Sequence, residues 1–165
     1  MRARPRLSAA AVVTLLALVP AACRGGGGRL SKPDFIGKAN AICSDSNAKI
    51  KSLTHPDLAD PQATPGAIRR VIAIQRHALA RLRALRPPEK DEPAIKKWLG
   101  LVERELHQTE SEVRALERGD RDEVNRANAK SAALDSAAAE LAIGYGLKRC
   151  AAQTAETPAT STSQR

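Results

Sequence analysis

The sequence predicts an all-α protein whose folded part is an antiparallel, up-down four-helix bundle. Three observations lead to this expectation. Apolar residues recur at steps of three and four along four stretches of the chain, which is the period of one face of a helix. Proline, glycine or helix-capping residues bound these stretches, and no β-rich stretch competes with them. Short connections between the second, third and fourth stretches favour antiparallel neighbours.

The first predicted helix begins after Ser31, which can cap it, and has Pro33 in its first turn. It ends near Leu53, before a loop rich in aspartate and proline that runs to Thr64. The expected apolar face consists of Phe35, Ala39, Ile42, Ser46, Ile50 and Leu53.

The second predicted helix has Thr64 as its cap and Pro65 at its first position, and the pair Pro87-Pro88 stops it. Its expected apolar face consists of Ile68, Val71, Ile72, Leu79, Leu82 and Leu85.

The third and fourth predicted helices show the most regular spacing, which suits packing at a shallow crossing angle. The third has an apolar seam of Ile95, Leu99, Val102, Leu106, Thr109, Val113 and Leu116. Gly119 ends this helix at a tight turn, and Asp120 can cap the next one. The fourth seam is rich in alanine and consists of Val124, Ala127, Ser131, Leu134, Ala138, Leu141 and Tyr145.

The first 22 residues have the layout of an export signal. Three arginines precede an uncharged apolar run from Leu7 to Val19, and small residues follow at positions 20–22. The run has about 13 residues, fewer than the roughly 20 that a membrane-spanning helix needs. We therefore expect residues 1–22 to be removed and the rest of the chain to lie outside the cytoplasm.

Cys23 lies where a bacterial lipoprotein signal places the cysteine that is acylated and becomes the new N-terminus. Ala21 and Ala22 fit that pattern, whereas Pro20 departs from it. Residues 23–31 are expected to form the lipid-attachment site and a flexible glycine-rich tether, and residues 32–151 the bundle. The alternative is a cut by ordinary signal peptidase, which would release a secreted protein. Residues 152–165 are expected to be a disordered tail.

Charge and composition exclude some classes of partner. Removal of the three signal arginines leaves 24 lysines and arginines against 18 acidic residues, a formal charge of +6. These charges are spread over all helices and the chain has only three aromatic residues, so binding of nucleic acid or of wall glycan is disfavoured. The expected partners are the membrane, through the N-terminal lipid, and an envelope protein or an anionic surface polymer.

Cys43 and Cys150 form an even pair once Cys23 is used for processing. In an oxidising compartment this favours a structural disulfide between the first helix and the end of the fourth. The rival interpretation is a reactive or metal-binding pair of thiols, but neither a C-x-x-C motif nor a histidine near either cysteine in sequence supports it.

One group of residues is a weak candidate for a metal site. Glu103, His107 and Glu110 line one stripe of the third helix, but no second helix carries a matching pair. A solvated charged face is the simpler interpretation. No arrangement of serine and histidine indicates nucleophilic catalysis, so the sequence predicts neither an enzyme nor a cofactor.

Three segments resemble a loose group of uncharacterised small helical lipoproteins of high-GC actinobacteria. They run from Asp34 to Ile50, from Leu82 to Pro88 and from Tyr145 to Cys150. The resemblance spans most of residues 31–151 and implies the bundle and the cysteine pair, but it implies no activity or ligand. Taken together, the sequence predicts a noncatalytic lipoprotein on the outer face of the cell membrane that acts through protein or surface contacts. The alternative is a secreted or anchored bundle that binds a small ligand or a metal ion.

Overall fold

The computed structural model describes residues 28–53 and 64–151. Within these ranges the chain forms five α-helices and one turn of 3₁₀ helix, which precedes the third α-helix at Glu89–Asp91. The α-helices are α1 Lys32–Lys51, α2 Thr64–Ala84, α3 Glu92–Arg118, α4 Arg121–Tyr145 and the short α5 Lys148–Ala151. The first four run up and down in turn and form the predicted four-helix bundle.

The ends of the helices are fixed by residues that the sequence predicts. The Ser31 hydroxyl oxygen accepts a hydrogen bond from the Asp34 backbone N–H at the start of α1. The turn between α3 and α4 contains Gly119 at φ 69°, a left-handed conformation that glycine adopts without strain. The Asp120 carboxylate then accepts a hydrogen bond of 2.9 Å from the Glu123 backbone N–H. These bonds satisfy backbone groups that a helix end would otherwise leave unpaired.

Each long helix packs against the next one along the chain, and the α3–α4 pair has the most extensive contact. The short α5 contacts both α1 and α4 and thereby closes the bundle on that side. The core combines large aliphatic and aromatic side chains from α1, α2 and α3 with alanines from α4. Its members include Phe35, Ala39, Ile42, Leu79, Leu82, Ile95, Trp98, Leu99, Leu106, Ala138, Ala142 and Leu147.

The chain turns after α4, which the spacing of apolar residues does not predict. Gly146 adopts φ 99°, and its backbone N–H bonds back to Ala142 and Ile143. The Asn40 side chain on α1 holds the turn, because its Nδ2 donates to the Gly146 carbonyl at 3.2 Å and its Oδ1 accepts from the Arg149 N–H at 3.0 Å. The expectation that Cys150 ends the fourth helix is therefore corrected: the cysteine belongs to α5.

Cys43 and Cys150 form the predicted disulfide. Their Cα atoms are 5.0 Å apart, and both residues are buried. The bond joins α1 to α5 across 107 residues of chain. A loop of that length gives a chain-entropy stabilisation of about 4–5 kcal/mol.

The opposite ends of the bundle differ in composition, and we call one of them the base. It is defined by residues 28–38, 83–97 and 143–148. Backbone and side-chain bonds join these segments: the Leu30 N–H donates to the Arg86 carbonyl at 2.8 Å. The Tyr145 hydroxyl donates to the Asp91 carboxylate at 2.8 Å. The chain enters the described region at the base, at residue 28.

No helix in the described ranges is long and apolar enough to cross a membrane. The expected signal peptide, the lipid-attachment residue Cys23, most of the tether, and the tail at residues 152–165 lie outside the described residues.

Candidate functional site

A cleft of about 600 Å³ opens at the base between the end of α2 and the start of α3. Its wall carries four basic and two acidic side chains above an apolar floor. The lining residues are Arg29, Arg83, Arg86, Lys96, Glu92 and Glu103 on the wall, with Leu85, Pro87, Ile95, Leu99 and Gly100. The volume lies within the range of small-molecule sites in proteins.

The segment that precedes α1 forms one side of this cleft. The Leu30 backbone bond to Arg86 fastens the segment to the α2–α3 connection. The Arg29 guanidinium donates to the Pro87 carbonyl at 3.2 Å and forms an ion pair of 2.7 Å with Glu92. The N-terminal segment therefore reaches the bundle at the mouth of the cleft.

The two carboxylates of the cleft are held in the charged state by their neighbours. Hydrogen bonds from Lys96 and then from Arg29 lower the pKa of Glu92 to about 2. The pKa of Glu103 is lowered by its hydrogen bond with Arg83, which lies 2.7 Å away. Because both groups stay ionised near neutral pH, neither is suited to general acid–base catalysis there. The four cations exceed the two carboxylates by two positive charges.

Gly100 leaves open a part of the cleft that a side chain would fill. It lies in the interior of α3, where glycine destabilises a helix by about 1 kcal/mol relative to alanine. A Cβ atom built on Gly100 would meet only the Arg104 guanidinium, at 3.9 Å, which is ordinary contact. The backbone therefore does not require glycine here, and the missing side chain enlarges the cleft.

A second, smaller cleft of about 350 Å³ lies farther along the same pair of helices. Its basic residues are Arg69, Arg76 and Arg114. Arg69 pairs with Glu117 at 2.6 Å and Arg76 with Glu110, while Arg114 donates to the Ser111 hydroxyl at 2.8 Å. Arg69 is 14 residues from Arg83 along α2, which corresponds to about 21 Å. This distal cleft therefore provides a chemically similar comparison away from the base.

The candidate metal residues of α3 are placed along one side of the helix but turn to different partners. Glu103 pairs with Arg83 and Glu110 with Arg76, both across the α2–α3 interface. The His107 Nδ1 lies 3.6 Å from the Glu110 carboxylate, and the His107 side chain is 62% exposed. In residues 28–53 and 64–151, no group of three histidine, cysteine or acidic side chains is arranged to hold a metal ion.

Three acidic residues in the α3–α4 pair were missed by the sequence analysis. Burial raises the pKa of Glu105 to about 7, and the charge of Asp135 adds to the effect. Burial also raises the pKa values of Glu112 and Asp135. The Oδ1 atom of Asp135 is buried and has no hydrogen-bond partner among the described residues. The sequence signal that could have revealed them is a second pair of apolar α3 residues outside the predicted seam, Leu101 and Ala115, both of which are buried in the structure.

The arrangement at the base is that of an anion-attracting cleft. The excess of cations in the lining and the apolar floor suit the binding of an anion. Comparison of the chain with protein families, with curated proteins and with solved structures finds no match.

Proposed function

We propose that this protein is a noncatalytic lipoprotein of the bacterial cell envelope. Its chain is anchored through Cys23 to the outer face of the cell membrane. The base of the bundle faces the anionic membrane surface, and the protein acts through protein or surface contacts.

The uneven distribution of charge is the observation that carries this proposal. The base contains nine lysines and arginines against four acidic residues, an excess of five. The remaining described residues contain 13 basic and 11 acidic side chains, an excess of only two in a much longer stretch of chain. A basic residue near an anionic bilayer contributes about 1 kcal/mol, and the attraction decays over a Debye length of about 8 Å. The base is therefore the end that an anionic surface attracts most strongly.

Chain length places the same end near the proposed anchor. Cys23 and Arg29 are six positions apart in the chain, a distance that can span at most about 20 Å when fully extended. An acyl group on Cys23 would therefore keep the base close to the headgroups. The opposite end of α3 lies about 40 Å away, since this helix has 27 residues.

The disulfide and the ionisation of the carboxylates support the remaining parts of the proposal. Disulfides persist mainly in extracytoplasmic compartments, in agreement with export of this chain. The carboxylates of the basal cleft have lowered pKa values. The carboxyl with a pKa near neutrality, Glu105, lies outside the lining of both clefts. These features favour a binding role over catalysis.

The alternative is a secreted or anchored bundle that binds a small ligand or a metal ion. The basal cleft favours the ligand form of this alternative, because its volume would accommodate a small anion. If the chain is secreted without a lipid, the same cleft would serve a soluble ligand.

The experiment is intact-mass measurement of the protein purified from the membrane fraction of its own host, with and without reduction and thiol alkylation. We expect a chain that begins at an acylated Cys23 and has two further thiols that alkylate only after reduction. Replacement Cys23→Ser should move the protein out of the membrane fraction. A wild-type chain without a lipid, recovered outside the membrane fraction, would overturn the anchoring proposal.

A further inference from the structure

We propose that the basal cleft binds the phosphate-bearing headgroup of an anionic membrane lipid. This inference rests on the proposed function, because the lipidated chain would hold the cleft beside the membrane. It deepens that function by changing a general attraction between charges into a site with a defined ligand class.

The basic side chains of the cleft provide the recognition of phosphate. Arg29 and Arg83 come from separate segments, and Lys96 comes from α3. Each of these cations already has a carboxylate partner, which holds it in place at 2.7–2.9 Å. Guanidinium groups bind phosphate oxygens through paired N–H donors, while an ammonium acts as a compact point charge. Because Arg29 and Lys96 share the carboxylate of Glu92, these three cations exceed their two carboxylate partners by one positive charge, which favours an incoming anion.

The floor of the cleft explains why a lipid is favoured over an inorganic ion. Leu85 is half-buried and supplies apolar surface beside the charged wall, while Ile95 and Leu99 line the cleft but are only 3% and 9% exposed. A free phosphate ion offers nothing to cover that surface, whereas the glycerol and the first acyl carbons of a lipid would bury part of it. The cleft of about 600 Å³ is also much larger than a phosphate ion requires.

The position of the cleft relative to the proposed anchor supplies the third argument. Arg29 belongs both to the cleft wall and to the segment that leads back toward Cys23. Because the chain between Cys23 and Arg29 spans at most about 20 Å, the anchor keeps this cleft near the headgroups and lets it touch them. The distal cleft, although it also contains arginines, is about 21 Å farther along α2.

The test is an NMR titration of the mature chain from Cys23 onward, carrying Cys23→Ser so that no acyl chain is attached. The probes are short-chain phosphatidylglycerol, short-chain phosphatidylcholine and inorganic phosphate, each below the concentration at which the lipid forms micelles. We expect saturable shifts of the Gly100 and Leu85 amides with phosphatidylglycerol, and about tenfold weaker binding or none with the other two probes. Equal affinity for inorganic phosphate, equal affinity for phosphatidylcholine, or no saturable shift would each overturn the proposal.

Two leucine variants distinguish a loss of lipid binding from a loss of folding. Gly100→Leu should fill the cleft and weaken phosphatidylglycerol binding about tenfold or more, while it keeps or raises the melting temperature because leucine favours a helix over glycine. Gly66→Leu is the matched control, since it adds the same side chain to α2 at the other end, where a Cβ meets nothing within 4 Å. Unchanged binding by a folded Gly100→Leu variant would contradict the assigned site.

Paired charge removals test the contribution of the wall. Arg83→Gln combined with Lys96→Gln should weaken binding, whereas Arg69→Gln combined with Arg76→Gln removes the same charge at the distal cleft and should leave it unchanged. If both double variants weaken phosphatidylglycerol binding equally, the binding depends on the overall charge of the protein, and the assignment of the basal cleft as the binding site is refuted. These titrations do not depend on lipidation, so failure here is distinguishable from a mass spectrum that shows no acyl group.

Discussion

Glu105 should dominate how the stability of the bundle changes between mildly acidic and mildly basic pH. Its carboxyl is largely buried on α3, and burial together with the charge of Asp135 raises its pKa from 4.5 to about 7. The ionised form is therefore disfavoured in the folded protein but not in the unfolded chain. Glu105→Gln replaces the carboxyl with a neutral group of nearly the same size.

The sign and size of the effect follow from proton linkage. Because the folded pKa lies above the unfolded one, the stabilisation by protonated Glu105 is fully present below pH 4.5 and is lost as the pH rises through 7. This rise in the pKa of Glu105 corresponds to a change of at most about 3 kcal/mol in the free energy of unfolding. Asp45, Glu92 and Glu103 act in the opposite direction, since their pKa values are lowered and their contributions disappear in acid. We therefore expect maximal stability at mildly acidic pH.

Urea unfolding of the wild type and of Glu105→Gln at a series of pH values tests this reasoning. Fluorescence of Trp98, which is buried and is the single tryptophan of the chain, reports the transition. The variant should gain stability at about pH 8, change little at about pH 5, and lose most of the slope between them. Glu103→Gln is the control on a half-exposed position of the same helix, with a lowered pKa, and should keep the slope between about pH 5 and about pH 8. An unaltered slope in Glu105→Gln would refute the argument.

Three further perturbations probe the contacts that hold the bundle together. Reduction of the Cys43–Cys150 bond should lower the free energy of unfolding by about 4–5 kcal/mol, and an unchanged melting temperature in reductant would contradict this. Tyr145→Phe removes the 2.8 Å bond to Asp91 and should cost about 1 kcal/mol in urea unfolding; a variant as stable as the wild type would show that the bond contributes nothing. Phe35→Ala removes a fully buried ring and should lower the free energy of unfolding, measured at low temperature, by about 3–5 kcal/mol. A loss below about 1 kcal/mol would count against the described core.

Local chemistry was sufficient to predict most helix ends. Ser31, Gly119 and Asp120 act through their own backbone or through residues three positions away, so their roles can be read from neighbouring sequence. Gly146 ends α4 by the same local chemistry, since it is left-handed and its N–H bonds back to Ala142 and Ile143. What neighbouring sequence does not reveal is the hydrogen bond from Asn40 to this turn, because Asn40 is 106 residues distant in the chain.

The regular seam of α3 predicted one buried face but not the second. Leu106 and Val113 belong to the predicted seam and are buried, but so are Leu101 and Ala115, which lie on another side of the helix. The reason is that α3 packs against both α2 and α4. Periodicity identifies an apolar stripe but does not reveal how many neighbours a helix has, because small and polar residues can also face one.

The basal cleft could not be predicted from spacing along the chain. Arg29, Arg83 and Lys96 come from three segments, and only the packed bundle brings them around one opening. The sequence did indicate a moderately basic protein. It did not indicate that most of the excess charge of the described residues lies at one end, because that depends on the up-down order of the helices.

The most direct test of the central claim is the orientation of the lipidated protein on a membrane. A fluorescent amino acid would be introduced by codon reassignment either at Lys90, in the base, or at Arg118, at the far end of α3, without altering the cysteines. The acylated protein would then be bound to anionic vesicles that carry a lipid-attached quencher. The account predicts much stronger quenching at position 90 than at position 118. Equal quenching at both positions, or stronger quenching at position 118, would contradict it.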